Sequence, residues 1–446
     1  MNRNVLVWLV GSALVLPVAF GAGTPLLEKA DRKPILEAMT KYQQAYLDKF
    51  HDAKALKELP NNYADLKKKL EEAAKRKKVD SLLASPADMR LLFAVPVRPD
   101  ASPKKDAYYD QEFLFDDGQT KEKLKYLLRV PKSYAAGEPL PILLVLHPPL
   151  KRADEVKKWV TATIPATVAE QSIVLVPLNV DNPVDWSSSL GHIRSIVPFN
   201  PTWTKLWVDR ARVIVFGSGA SAPAAVDYAT FFPGLFAGAI VSHPSAAPTV
   251  TKLATARYLP MLCLAQAAGD TGQIASSFTE EMKKAGGTAN VVTAEVDATG
   301  AIDAAGQEAL TKFIADTRKD VAPKKVTLVT DSDACVNAYW FRVDNVDVKP
   351  GEFARMDAEI DSATNEIRVT TPSTVRGFHI YLNDELVDMG KTIKVIHVVA
   401  GKDDAKVVFE GTKSRSLDKA VELWMNAAHG NFGESYTNAI DITIAP

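Results

Sequence analysis

The sequence predicts an α/β fold. A mainly parallel sheet flanked by helices is preceded by a helical region and followed by a β-sandwich-like region. Three observations carry this. Between about Tyr108 and Asp316, strand-like and helix-like stretches alternate, the pattern of parallel strands joined by helical crossovers. Leu140–His147 and Ser172–Pro177 are continuous apolar runs, as strands buried on both faces require. From about Lys324 onward, helical periodicity nearly vanishes and short alternating runs replace it.

In chain order, Met1–Asn4 is a short basic start and Val5–Phe20 an apolar run broken by Pro17. The small residues Ala19, Gly21, Ala22 and Gly23 cluster at its end. Residues 1–23 therefore read as a secretory signal peptide, which implies a secreted or periplasmic protein. The alternative is an uncleaved N-terminal anchor, for which the run is somewhat short. Residues 24–100 read as helical. Asp31 can cap, Pro34 suits a first turn, and Ile35, Met39, Tyr42 and Tyr46 recur at helical spacing. A second helix is expected over Tyr63–Lys77 and a third over Asp88–Phe93, ahead of the polar, Pro-containing linker Arg98–Lys105. Residues 106–320 form the α/β region. Residues 324–446 form the β region, with strands at Val326–Thr330, Ala338–Val343, Ala354–Ile360, Ile367–Thr371, Phe378–Leu382, Ile393–Val399, Lys406–Phe409 and Ala439–Ile444. One helix is expected there, near Leu417–Ala427.

A chain of 446 residues can hold about three domains. Its net charge of −1 supplies no bulk field for nucleic acid. The Lys-rich stretch Lys67–Lys78, interrupted by Glu71 and Glu72, reads as a solvated helix face. Of the two cysteines, Cys263 lies in a buried-strand pattern. Export permits a bridge to Cys335, but a small buried hydrophobe is the plainer reading. No cofactor is implied.

The most informative run is Arg212-Val213-Ile214-Val215-Phe216-Gly217-Ser218-Gly219-Ala220-Ser221. A β-branched strand meets a Gly-rich corner, and an Ala-rich helix follows. This resembles the nucleophile elbow of the α/β-hydrolases, normally Gly-x-Ser-x-Gly. Phe232-Pro233-Gly234-Leu235-Phe236-Ala237-Gly238 resembles that family's segment after the elbow helix. Tyr126–Tyr134 with Leu140–His147 resembles the opening of secreted esterases of the polyhydroxybutyrate-depolymerase and feruloyl-esterase kind, and Trp207–Val213 resembles that family's lead into the elbow strand. The resemblance covers about half the chain. It implies an α/β-hydrolase fold and sites for a nucleophile, a histidine base, an acid and backbone oxyanion donors.

Counting back from Phe236 without a gap puts the nucleophile position on Gly219, which has no side chain. Ser218 and Ser221 flank it. The oxyanion donors would be the N–H of Ala220 and one from the loop after the His147 strand. That loop reads His147-Pro148-Pro149, and proline has no N–H to donate. Asp270, in Gln266–Asp270, matches the acid position, although a turn role is equally natural. The region matching the base loop, Val291–Asp303, contains no histidine, and none occurs between His243 and His379.

His147, His243, Asp181 and Asp270 all follow strands, but their spacing matches no metal motif. Trp186, Trp203 and Trp207 precede the elbow, where they could stack on a sugar or aromatic ligand or pack in the core. His379, His397 and His429 read as structural. The favoured function is non-catalytic binding or scaffolding of a small-molecule, polysaccharide or protein ligand. One alternative is a working carboxylesterase-like or peptidase-like hydrolase with a rearranged site, using Ser218 or Ser221 with His147 or His243. A third is adhesion or carbohydrate binding through the β region.

Overall fold

The computed structural model describes residues 24–49, 52–100, 102–116, 121–297, 299–332, 336–349, 351–402, 404–425 and 436–444. The expected signal peptide, Cys335 and His429 lie outside the described residues.

The apolar runs become the middle of an eight-stranded sheet. Its strands are β1 Tyr109–Asp116, β2 Lys121–Arg129, β3 Leu140–Leu146, β4 Ile173–Pro177, β5 Val208–Ser218, β6 Gly238–Ser242, β7 Met261–Ala265 and β8 Ala289–Thr293. They lie in the order β1-β2-β4-β3-β5-β6-β7-β8. β2 is antiparallel to both β1 and β4, and the remaining neighbours are parallel. A parallel sheet needs a cover on both faces, and the crossovers supply it. α4 Ala153–Thr163, α5 Ala166–Gln171 and α10 Ala304–Asp316 pack into the core on one face. α8 Ala222–Phe231 and α9 Asp270–Lys284 pack on the other. α6 Ser189–Ile196 and α7 Phe199–Lys205 come between β4 and β5. This is an α/β-hydrolase-like sheet.

The N-terminal helices are α1 Lys29–Asp48, α2 Ala53–Lys77 and α3 Pro86–Phe93. α2 begins ten residues before the expected Tyr63 and runs through Pro60. A proline inside a helix leaves the carbonyl of residue i−4 without its partner. Here that residue is Leu56, which is exposed, so water can take the place of the lost donor. All three helices share one core with β2, α8 and α9.

The C-terminal region forms two sheets. One holds β10 Asn337–Ala338, β11 Phe341–Val346, β14 Val375–Leu382 and β17 Asn438–Thr443. The other holds β9 Lys325–Thr330, β12 Ala354–Asp361, β13 Glu366–Thr371, β15 Ile393–Val399 and β16 Ala405–Gly411. The inward-facing residues Met356, Ile367, Val369, Phe341 and Phe378 meet between them, as alternation requires. The expected strand Ala338–Val343 is split by Tyr339, whose φ of 55° turns the chain.

α11 Leu417–Met425 leaves this sandwich and joins the core of the N-terminal helices. The Trp424 ring stacks on Phe93 at 4.9 Å, and its Nε1–H donates to the Phe93 carbonyl at 3.1 Å. Nearby, Arg90 grips Glu385 with two hydrogen bonds of 2.8 and 2.9 Å. Deleting a buried, stacked indole costs about 3 kcal/mol or more. Trp424→Ala should therefore lower the unfolding midpoint by several degrees in a thermal melt. An unchanged midpoint would show that α11 adds nothing to the packing of these helices.

Candidate functional site

The C-terminal ends of the parallel strands are where ligands meet such sheets. There β5 ends at Ser218, and the chain turns through Gly219–Ser221 into α8. Gly219 has φ +58°, the left-handed region that a nucleophile elbow requires. A Cβ placed on Gly219 meets nothing within 4 Å, so the corner opens into free space. Gly217 is the opposite case. A Cβ there would lie 2.3 Å from the Ser221 carbonyl oxygen, because the first turn of α8 passes directly against the strand. The corner thus keeps the glycine needed for close packing and has a second glycine where a side chain would project.

The two flanking serines do not occupy that space. Ser218 is still in the strand, with φ −131° and ψ 142°. Ser221 is buried, and its Oγ donates to the main-chain carbonyl of His147 at 2.6 Å. The same carbonyl accepts from Nε1 of Trp186 at 3.1 Å. In place of a donor, the loop after β3 thus turns a carbonyl oxygen toward the start of the elbow helix. The next two residues are prolines.

The His147 ring points elsewhere. The Asn179 N–H donates to Nε2 at 3.1 Å, so the proton sits on Nδ1, which donates to the Pro148 carbonyl at 2.7 Å. Both nitrogens are used, and burial depresses the ring to about 4. The Trp186 ring closes over it edge-on, with centroids 5.5 Å apart.

His243 follows β6 with φ +46°, a strained backbone for a residue with a Cβ. Its Nε2 bonds the Ala294 carbonyl at 2.9 Å, and Nδ1 faces the Ser242 hydroxyl at 3.0 Å. The carbonyl can only accept, so Nε2 carries the proton and Ser242 donates to Nδ1. The ring thus reaches the loop after β8, not the elbow. In that loop Asp297 gathers the Thr299 N–H and hydroxyl and the Ala301 N–H at 2.7, 2.6 and 3.0 Å. These bonds, that from the Thr299 hydroxyl foremost, hold its carboxyl below the usual range. Asp270 is the exposed first residue of α9.

The structure therefore does not join Ser218, Ser221, Asp270, His147 and His243 into one hydrogen-bonded chain. Asp181 pairs with Lys125 at 2.8 Å. Among the described residues, no group of three His, Cys, Asp or Glu side chains is placed to hold a metal ion. The Cys263 thiol is buried and pushed up to about 12 by desolvation. Trp186, Trp203 and Trp207 are all buried, which leaves no indole face for a sugar at the elbow. His379 lies between Asp344 and Asp441, 2.6 Å from each, and His397 meets the Thr371 hydroxyl at 2.9 Å.

One pairing was not anticipated. His192 of α6 meets Asp227 of α8 at 3.0 Å, with its ring enclosed by Tyr228, Phe231 and Phe232. Tyr228 also bonds Ser195 at 2.6 Å and the Trp186 and Gly191 carbonyls at 3.0 Å. This network fastens the segment above the elbow to the elbow helix. The cue available in the sequence was Asp227-Tyr228 set about two turns beyond the corner on an apolar helix.

No family model matches the chain, and no curated protein matches it. Solved structures resemble it in part. A thermostable esterase is 17% identical over 41% of this chain, with a TM-score of 0.35; the match spans about half of that esterase (54%). A ferulic acid esterase is 14% identical over 48% of this chain and 99% of its own, with a TM-score of 0.37. Est1E from Butyrivibrio proteoclasticus is 14% identical over 47% of this chain and 98% of its own, with a TM-score of 0.34. The fold assignment rests on the strand order and the elbow of this chain itself.

Two outcomes follow from this geometry. Gly217→Ala must push the start of α8 off the strand, whereas Gly219→Ala incurs only the left-handed backbone cost of about 1–2 kcal/mol. Chemical denaturation should show the larger loss at Gly217, by about 1–2 kcal/mol, and the reverse order would contradict the elbow. The second outcome concerns pH. His147 has a lower pKa folded than unfolded, so its neutral form favours the folded state. That contribution is complete above about pH 6.5, the unfolded value, and is lost as pH falls toward 4. The total is about 3 kcal/mol. His147→Gln should flatten the stability profile between pH 6.5 and 4, and an unaltered slope would remove His147 from the account.

Proposed function

We propose that this chain is a non-catalytic binding or scaffolding protein on an α/β-hydrolase fold, exported to the periplasm or beyond. The observation that carries this is Gly219: the left-handed corner where a nucleophile belongs is intact, open and without a side chain. The surroundings agree with it. The loop after β8 is built around an aspartate-centred turn and carries no imidazole base. Pro148 and Pro149 cannot donate to an oxyanion, and the Ser221 hydroxyl is committed to a carbonyl. A serine without a base stays protonated and is a poor nucleophile. The apolar run at Val5–Phe20 supports export.

The deciding experiment is labelling with a fluorophosphonate probe, read by peptide mass spectrometry beside a competent esterase. No labelling of Ser218 or Ser221 is expected. Labelling of either one that heat denaturation abolishes would make the protein a serine hydrolase with a rearranged site. Restoring the missing hydroxyl should not restore chemistry. Gly219→Ser has room for its side chain but no base, so p-nitrophenyl acetate hydrolysis should stay at background. Turnover above the wild-type rate would mean that a base is in reach.

A further inference from the structure

A large cleft lies at the other end of the sheet. Pro139, just before β3, and Trp207, just before β5, both line it. The seven residues of β3 separate it from the elbow by about 20 Å. Its volume is about 930 Å³, at the upper end of the range for small-molecule sites. One wall is a single face of α1, read at helical steps from Lys29 through Lys33 and Leu36 to Thr40. Twelve residues of helix make this wall about 18 Å long. The facing wall is apolar: Leu91, Val95, Pro139 and Trp207.

The shape and the charge select the same ligand. A long, apolar trough suits an extended hydrocarbon chain better than a compact ring. Four cations line it, Lys29, Arg32, Lys33 and Lys41, against one acid, Glu37. Lys29 is held by Glu138 at 2.8 Å. Nε of Arg32 is buried and has no hydrogen-bond partner among the described residues. Arg32 itself is half-buried and lines the cleft, and a guanidinium fork is suited to pair with a carboxylate. Electrostatic complementarity therefore asks for an anionic head group.

We propose that this cleft binds a single-chain carboxylate amphiphile, a long-chain fatty acid, with its chain along α1 and its carboxylate at Arg32. The site is separate from the elbow, so it stands or falls independently of whether the elbow is catalytic.

The test is calorimetric titration of the full chain with dodecanoate. Saturable one-to-one binding is expected, about tenfold tighter for tetradecanoate because two more methylenes are buried. Dodecanol should bind about tenfold more weakly than dodecanoate, and dodecyltrimethylammonium should not compete. Ala136→Trp, at an exposed position on the rim, should weaken dodecanoate at least tenfold without altering the thermal midpoint. Arg32→Gln should abolish the preference for the acid over the alcohol. Several results would overturn the proposal: no saturable binding, equal affinity for the cationic amphiphile, or unchanged binding in Ala136→Trp. So would a concentration-dependent dimer in sedimentation that dodecanoate leaves intact, which would assign the cleft to a second copy of this chain.

Discussion

The main-chain carbonyl of His147 is the joint on which the mouth of this fold depends. It accepts from the hydroxyl of Ser221 at the start of the elbow helix and from the indole of Trp186 in the segment above it. Three parts of the chain distant in sequence thus converge on one oxygen. Both donors are buried, so releasing either would leave a polar group unsatisfied away from water. The His147 ring adds a second fastening, to Asn179 and Pro148, in a neutral form imposed by burial. The Tyr228 hydroxyl then ties the same upper segment to the elbow helix through Ser195, Trp186 and Gly191.

These bonds occupy the place where a hydrolase needs mobile or unpaired groups. An oxyanion hole requires N–H groups that point into empty space until the transition state forms. Here the loop after β3 contributes an occupied carbonyl and two prolines. A catalytic histidine needs one nitrogen free for its proton traffic. Here both nitrogens of His147, and both of His243, have structural partners. The elbow keeps its left-handed corner at low cost because glycine holds it. Stability and catalysis make opposite demands on the same groups.

The rest of the chain is built onto this unit. The N-terminal helices share the core on one face of the large sheet, and α11 returns from the C-terminal sandwich to pack among them. The Trp424–Phe93 stack and the Arg90–Glu385 pair join residues about three hundred positions apart. Laying α1 beside the lower edge of the sheet also creates the long basic-rimmed trough. The two ends of the sheet are therefore unlike: a corner braced by buried hydrogen bonds at one, a long apolar cleft at the other.

How much of this was legible in the sequence follows from the range over which each signal acts. Continuous apolar runs announced the strands buried on both faces. The period of 3.6 announced α1, and alternation announced the sandwich strands. The ungapped count from Phe236 led to Gly219 because a strand, a tight corner and a short helix leave no slack. These are local patterns, decided within one or two turns of chain. The sequence by itself therefore determined the fold class and the residue at the elbow corner. Only the tertiary structure decided what each polar side chain faces. It directed the His147 ring to Asn179, Ser221 to a carbonyl, His192 to Asp227 and His243 to Ala294. It also let α2 run through Pro60 and placed Trp207 in the wall of a cleft with residues of α1. Those outcomes depend on contacts between distant segments, and no periodicity or spacing along the chain encodes the direction in which a buried donor finds its acceptor.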